Sequence, residues 1–236
     1  MLDTAIQSQL KAYLEKLQRP VELVASLDDS AKALEMRALL EAIAPLSEKV
    51  SLRFDGQAAL RPSFGIAAAG EAPRIHFAGI PMGHEFTSLV LALLQTGGHP
   101  PKIEPELIGR IKALPGGGNF ETFVSLSCHN CPDVVQAFNL IAVLNPAYSH
   151  TMIDGAVFPV LAEQRQIMAV PCVYRDTDLF GNGRMTLEEI VARFDSNSAA
   201  RDAEKLSIKG VFDMLIVGGG PAGAAAAVYG ARKRIV

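Results

Sequence analysis

Residues 125–135 read SLSCHNCPDVV, with Cys128 and Cys131 separated by His129 and Asn130. The apolar run TFVSL (122–126) ahead of the pair predicts a strand, and the apolar spacing from about Asn130 to Val143 predicts a helix. The cysteines therefore fall on a strand-to-helix turn. A thiol at such a turn faces the unsatisfied N–H groups and the positive end of the helix dipole. That setting lowers a thiol pKa from about 8.5 toward about 7 and favours the nucleophilic thiolate. A protonated His129 would lower it further. Cys131, one turn into the helix, is expected to be more buried and to act as the resolving thiol. Pro132 fits the first helical turn, where no intrahelical bond is lost. The competing reading is a zinc clip. Zinc needs four ligands, and with three cysteines in all and no second C-x-x-C, Cys172 and a histidine would have to complete the set. A redox couple fits the residues better, and no metal site is expected.

The bulk composition narrows the setting of that chemistry. Of 236 residues 49% are hydrophobic and 20% charged, enough for a sizeable core. The net charge of −3, with lysines and arginines scattered apart from ARKR at 231–234, argues against nucleic-acid binding. No apolar run is long enough to cross a membrane. The start, MLDTAIQSQLKAYLEKL, lacks a basic segment followed by an apolar block, so a cytoplasmic location is expected. In that compartment a C-x-x-C is redox or metal chemistry and not part of a disulfide scaffold.

Outward from the cysteines, the chain reads as one pattern twice. In the first half, Asp3 or Thr4 caps a helix with Ile6, Leu10, Leu14 and Leu17 at helical spacing, ended by Pro20. Strands are predicted at 21–27, 50–54, 63–68 and 74–79. Helices are predicted from Asp28, Asp29 or Ser30 to Ile43 and from about His84 to Leu94. The second half repeats this with helices at 103–113, about 130–143, 158–166 and 186–194, and strands at 122–126, 151–154, 171–175 and from Asp178. Thr186 and Glu189 are spaced as a capping box. LVASLDDSA (23–31) aligns with FVSLSCHNC (123–131) at an offset of 100 residues, and RPSFGIA (61–67) with VPCVYRD (170–176). The first half carries Asp28 and Ala31 where the second has cysteines, so it cannot cycle thiols.

Residues 195–210 have a linker composition. After them VFDMLIVGGGPAGAAAA offers an apolar strand, a Gly218-x-Gly220-x-x-Gly223 turn and a small-residue helix, the order a dinucleotide-binding turn requires. Gly218, Gly220, Pro221, Ala222 and Gly223 are the candidate cofactor-binding residues. An acidic residue some 20 positions on, for the ribose, is missing because the chain stops at Val236. This is expected to be a truncated start, and no cofactor is expected in this fragment.

A strand, a C-x-x-C at a helix start and a later strand opened by Val170-Pro171 resemble the thioredoxin pattern. With the duplication, SCHNCPDVVQAFNLIAVLNP (127–146) and MLIVGGGPAG (214–223), the whole chain resembles the flavoprotein subunit of bacterial alkyl hydroperoxide reductase. The resemblance implies an α/β fold. Two tandem thioredoxin-like units (1–97 without cysteines, 98–196 with them) form one N-terminal domain. A linker (197–210) and a truncated Rossmann-like FAD-binding start (211–236) follow. It implies cis Pro171 against the disulfide, and cis Pro62 if the halves are duplicates. It also implies electron flow from NADH or NADPH through FAD and a second dithiol to Cys128–Cys131, and on to a peroxiredoxin; it permits a homodimer of the full-length protein. Thioredoxin-like sites often hold a buried carboxylate six residues before the first cysteine. Thr122 stands there, so Glu85 or Glu121 is expected to substitute, with Glu85 favoured over its reading as a solvated first-turn glutamate. Cys172 reads as a buried small hydrophobe. His76, His84, His99 and His150 show no ligand spacing and read as surface or core. DLFGNGRMTLEE (178–189) imitates a calcium loop but has Phe180 at position 3. The alternatives are a tandem-thioredoxin disulfide oxidase or isomerase, and a zinc-stabilised interaction domain.

Overall fold

A computed structural model describes residues 2–194, 214, 216 and 220–233. Residues 1–195 form one compact unit and 196–236 another. The expected linker, most of the strand expected before the glycine turn, and Gly218 lie outside the described residues.

The first helix, α1 (Thr4–Leu14), starts where the Asp3 carboxylate accepts the Ile6 N–H at 2.8 Å, and it buries Leu10 and Leu14. Strand β1 (Val21–Ser26) leads to α2 (Ala31–Ile43), capped by the Ser30 hydroxyl, which accepts the Ala33 N–H. Then come β2 (Val50–Arg53), β3 (Ser63–Ala68), β4 (Ile75–Ala78) and α3 (Phe86–Thr96). The second half runs α4 (Pro105–Lys112), β5 (Gly118–Val124), α5 (Cys131–Leu144), β6 (Tyr148–Asp154), α6 (Pro159–Gln164), β7 (Cys172–Arg175), β8 (Asp178–Asn182) and α7 (Leu187–Phe194). The Thr186–Glu189 capping box is formed: the Thr186 N–H donates to Glu189 Oε2 at 2.8 Å and the Glu189 N–H to Thr186 Oγ1 at 3.2 Å. In the second compact unit α8 (Pro221–Arg232) begins after Gly220.

All eight strands join one sheet in the order β2-β1-β3-β4-β6-β5-β7-β8. Each half repeats one arrangement. Its first strand is parallel to its second and antiparallel to its third, and the third is antiparallel to the fourth. The halves meet where β4 runs parallel to β6, with Ile75 opposite His150 and Ala78 opposite Ile153. Both prolines that open the third strands, Pro62 and Pro171, follow cis peptide bonds.

Three elements differ from the sequence expectation. Strands β5 and β6 start earlier than expected, at Gly118 and Tyr148, because the two pair in parallel along their whole length. Gly118 and Asn119 have poor strand propensity, which tertiary pairing overrides. The helix expected from His84 is a 3-10 turn, Gly83–Glu85, before α3 begins at Phe86. Gly83 has φ +59°, a conformation that a regular helix cannot include.

One apolar cluster crosses the junction, packing Leu23, Phe64, Phe77, Leu89 and Leu93 of the first half with Cys131, Val135 and Met152 of the second. Beside it lies a polar chain with no exposed member. Thr122 Oγ1 is 2.8 Å from His150 Nε2, and His150 Nδ1 is 2.7 Å from Asn139 Oδ1. Burial, with His76 adding to it, depresses the His150 pKa to about 3, so the ring is neutral. Nδ1–H then donates to Asn139 and Nε2 accepts from the Thr122 hydroxyl.

An unfolded histidine binds its proton near pH 6.5, whereas folded His150 resists it down to about pH 3. Its stabilising effect is complete above pH 6.5 and declines as pH falls through that window, by up to about 3 kcal/mol at pH 4. Urea unfolding from pH 7 to pH 4 should show His150→Phe losing less stability on acidification than the unsubstituted chain. Parallel pH profiles would contradict this.

Candidate active site

Strand β5 ends at Val124, and residues 125–130 turn into α5, with the Cys128 N–H donating to Ser125 O at 2.9 Å. Cys128 and Cys131 form a disulfide, their Cα atoms 5.5 Å apart. Cys131 is wholly buried, Cys128 is half-buried, and His129 and Asn130 are exposed. Of the two sulfurs, then, the one within reach of solvent is that of Cys128.

Cys131 is not one turn inside the helix, as its sequence position suggested; it is the first helical residue. Pro132 explains this. A helix begun a turn earlier would set the Pro132 ring against the carbonyl four residues back and demand an N–H that proline lacks. Cys131 therefore owes its burial to packing against the junction core, beside Val135 and Met152.

Across the mouth of the turn the Val170 carbonyl oxygen lies 3.8 Å from Cys128 Sγ, and buried Pro171 follows it. Cys172 is buried against Ala78, Phe123 and Ile153, and burial pushes its thiol pKa up, which suits a core residue. In the first half, the place of Cys128 is taken by exposed Asp28, which accepts the Ser30 hydroxyl at 2.5 Å. Ala31 takes that of Cys131.

The other wall comes from the cysteine-free half. The His84 N–H donates to Leu126 O at 3.4 Å, and the His84 ring lies 4.1 Å, centroid to centroid, from that of His129. The next residue, Glu85, is fully buried, and among the described residues neither carboxylate oxygen has a partner in good hydrogen-bond geometry. Desolvation lifts its pKa to about 7, and the nearby Ser88 hydroxyl offsets this only in part. Ser88 itself accepts from Gln136 of α5 at 3.3 Å. The rival, Glu121, points to the opposite sheet face from Thr122 and pairs with Arg165 at 3.1 Å. Its pKa is raised by burial, against the pull of Arg165. Glu85 is the unpaired acid of the two.

His84 and the Thr122–His150–Asn139 chain escaped the sequence reading, which left these histidines as surface or core. His84 and His129 are 45 positions apart in different halves, so no local spacing could link them. Among the described residues no three His, Cys, Asp or Glu side chains gather as a metal site. None of the described helices is long and apolar enough to cross a membrane. Of the cofactor candidates, Gly220, Pro221, Ala222 and Gly223 lie at the start of α8, where among the described residues no side chain caps the helix and a Cβ on Gly220 would meet nothing within 4 Å. An open helix start of this kind suits a pyrophosphate.

The crystal structure of the N-terminal domain of alkylhydroperoxide reductase AhpF from Enterococcus faecalis superposes with TM-score 0.76 at 34% identity. It covers 83% of this chain and all of that one. The chain belongs to the alkyl hydroperoxide reductase AhpF family. The alkyl hydroperoxide reductase protein of this family from Pseudomonas aeruginosa is 57% identical over 235 residues, which take in all of this chain and 45% of that protein. The chain thus spans about half the length of the curated AhpF relatives it matches. A protein disulfide oxidoreductase from Aeropyrum pernix, 20% identical, shares the tandem thioredoxin-like fold at TM-score 0.70 over 85% of this chain and 96% of its own. No protein-family model matches the chain.

In this AhpF module the buried acid should leave a signature in stability. Folded Glu85 holds its proton to about pH 7, the unfolded chain only to about 4.5. The stabilising effect is full below pH 4.5 and lost as pH rises through 7, a difference of at most about 3 kcal/mol. Glu85→Gln removes it. Between pH 5 and pH 8 the variant should gain stability relative to the unsubstituted chain in urea unfolding, and no relative gain would mean that Glu85 is ionised at neutral pH.

Proposed function

We propose that this chain is the disulfide-reducing N-terminal module of an NAD(P)H-dependent flavoprotein, and that Cys128 and Cys131 pass electrons to a peroxiredoxin for hydroperoxide reduction in the cytoplasm. The observation that carries this is the asymmetric pair: a reachable Cys128 ahead of the helix, and a buried Cys131 within disulfide distance. Membership of the AhpF family supports the same reading.

In the reduced module the Cys128 thiolate attacks a sulfur of the peroxiredoxin disulfide. One S–S bond forms, the partner's bond breaks, and the partner's other sulfur leaves as thiolate. Cys131, deprotonated, then attacks Cys128 Sγ, closing the internal disulfide and freeing the reduced partner. Two electrons have moved. Glu85 is our candidate to take the Cys131 proton, because it is a buried carboxyl with a pKa near neutrality that directly follows His84, whose N–H holds the cysteine loop. His129 and the cis Val170–Pro171 peptide shape the side from which the partner approaches.

Return of the electrons falls to the longer protein. Its nicotinamide, FAD and second dithiol would supply the hydride and disulfide chemistry, and Gly218, Gly220, Pro221, Ala222 and Gly223 would cradle the FAD pyrophosphate. The division we propose is 1–97 and 98–196 for the two thioredoxin-like units, 197–210 for the linker and 211–236 for the start of the flavin domain.

Cys131→Ser should accumulate a mixed disulfide with the peroxiredoxin on non-reducing gels. Cys128→Ser should abolish turnover and trap little, and Cys172→Ser should leave turnover nearly intact. Trapping by Cys128→Ser in place of Cys131→Ser would reverse the assignment. Equilibration with glutathione should place the couple near about −270 mV, the reductase range. A value near about −180 mV, roughly 4 kcal/mol away, would favour an isomerase.

A further inference from the structure

The cysteine-free half contributes more than a scaffold to the disulfide. Its turn at Gly83–Glu85 holds the reactive loop at two points, one on each side of Cys128. On one side the His84 N–H donates to Leu126 O. On the other the His84 ring packs on His129 at 4.1 Å with the planes inclined by 53°. Gly83 makes the approach feasible. It adopts φ +59°, and a Cβ there would lie 2.9 Å from Leu126 O. His129 is otherwise exposed, and a free ring at such a position would sample several rotamers.

We propose that His84 is a positioning residue for the redox centre: by stacking on His129 it fixes the imidazole next to Cys128 and so sets the reactivity of that thiol. The inference rests on the reading of Cys128 as the attacking sulfur. A fixed imidazole keeps its N–H dipole, and any charge it carries, in one relation to the thiolate, whereas a free one spreads that influence over many positions. Ring pairs of this kind shift an equilibrium by roughly twofold to tenfold, which sets the scale of the effect.

The test is a double-mutant cycle on the full reduced chain. Two quantities are read for His84→Ala, His129→Ala and the double variant: the alkylation rate of Cys128 by iodoacetamide at pH 7, and the equilibrium constant with glutathione. Each single change should slow alkylation by about threefold to tenfold, and the double variant should be no slower than either single one. His84→Phe keeps a ring to stack and should restore the rate to within about twofold, while His84→Gln should behave as His84→Ala. Urea midpoints establish that each variant is folded. If His84→Ala does not fold, the comparison of His84→Phe with His84→Gln decides. Equal rates in all variants would overturn the proposal, as would effects of the two histidines that simply multiply, or a His84→Phe protein as slow as His84→Gln. Neither readout involves a peroxiredoxin, so failure here and failure of the proposed partner are distinguishable.

Discussion

The parallel pairing of β4 with β6 is the constraint on which the rest of this molecule depends. Each half on its own is a four-stranded sheet with an open edge, and such edges invite pairing with whatever strand is available. Joining β4 to β6 closes one edge of each tandem half with a partner that is always present, and leaves β2 and β8 as the outer edges. The same join fixes the neighbours of the strand ends. The chain that leaves β4 must pass the chain that leaves β5, so the 83–85 turn arrives beside the cysteine loop. A cysteine-free repeat becomes one wall of a cysteine site through sheet topology alone.

That wall accounts for the distribution of polar groups in the core. The position six residues before Cys128 is threonine, committed through its hydroxyl to His150 and from there to Asn139. This chain ties β5, β6 and α5 together with neutral groups, and neutral groups cost far less to bury than a charge. The ionisable group sits across the junction, where Glu85 has no partner in good hydrogen-bond geometry among the described residues. An unpaired buried carboxyl is a poor device for stability and a good one for holding a proton at neutral pH.

Much of this was legible in the sequence, for reasons that can be named. The repeat showed in offsets near 100 residues between strand, helix and proline positions, because each half buries the same faces in the same order. The C-x-x-C at a strand-to-helix turn was readable from hydrophobic periodicity on either side. The burial of Glu85 was foreseen only through the resemblance to thioredoxin-like sites; the residues alone allowed a solvated first-turn glutamate equally well. Three things were not readable. Gly118–Asn119 and Tyr148–His150 hold strand conformation through their pairing with one another, which local propensity does not encode. The helix start at Cys131 follows from the ring of Pro132, whose tolerance in a first turn does not say which residue that turn begins with. His84 gains its role from a residue in the other half, and a long-range ring contact leaves no trace in spacing.

One substitution within the repeat has a chemical consequence of its own. Where the second half exposes a sulfur, the first exposes the carboxylate of Asp28, and a carboxylate has no oxidation ladder to climb. The remaining cysteine, Cys172, is buried with its thiol pKa raised, and thiols in that state react slowly with peroxides. Oxidative damage to thiols in residues 1–195 is thereby channelled to the Cys128–Cys131 pair, and in the disulfide form both sulfurs are already protected from sulfinic acid. Within residues 1–195, two thioredoxin-like halves thus share one exposed place at which a peroxide can harm thiol chemistry.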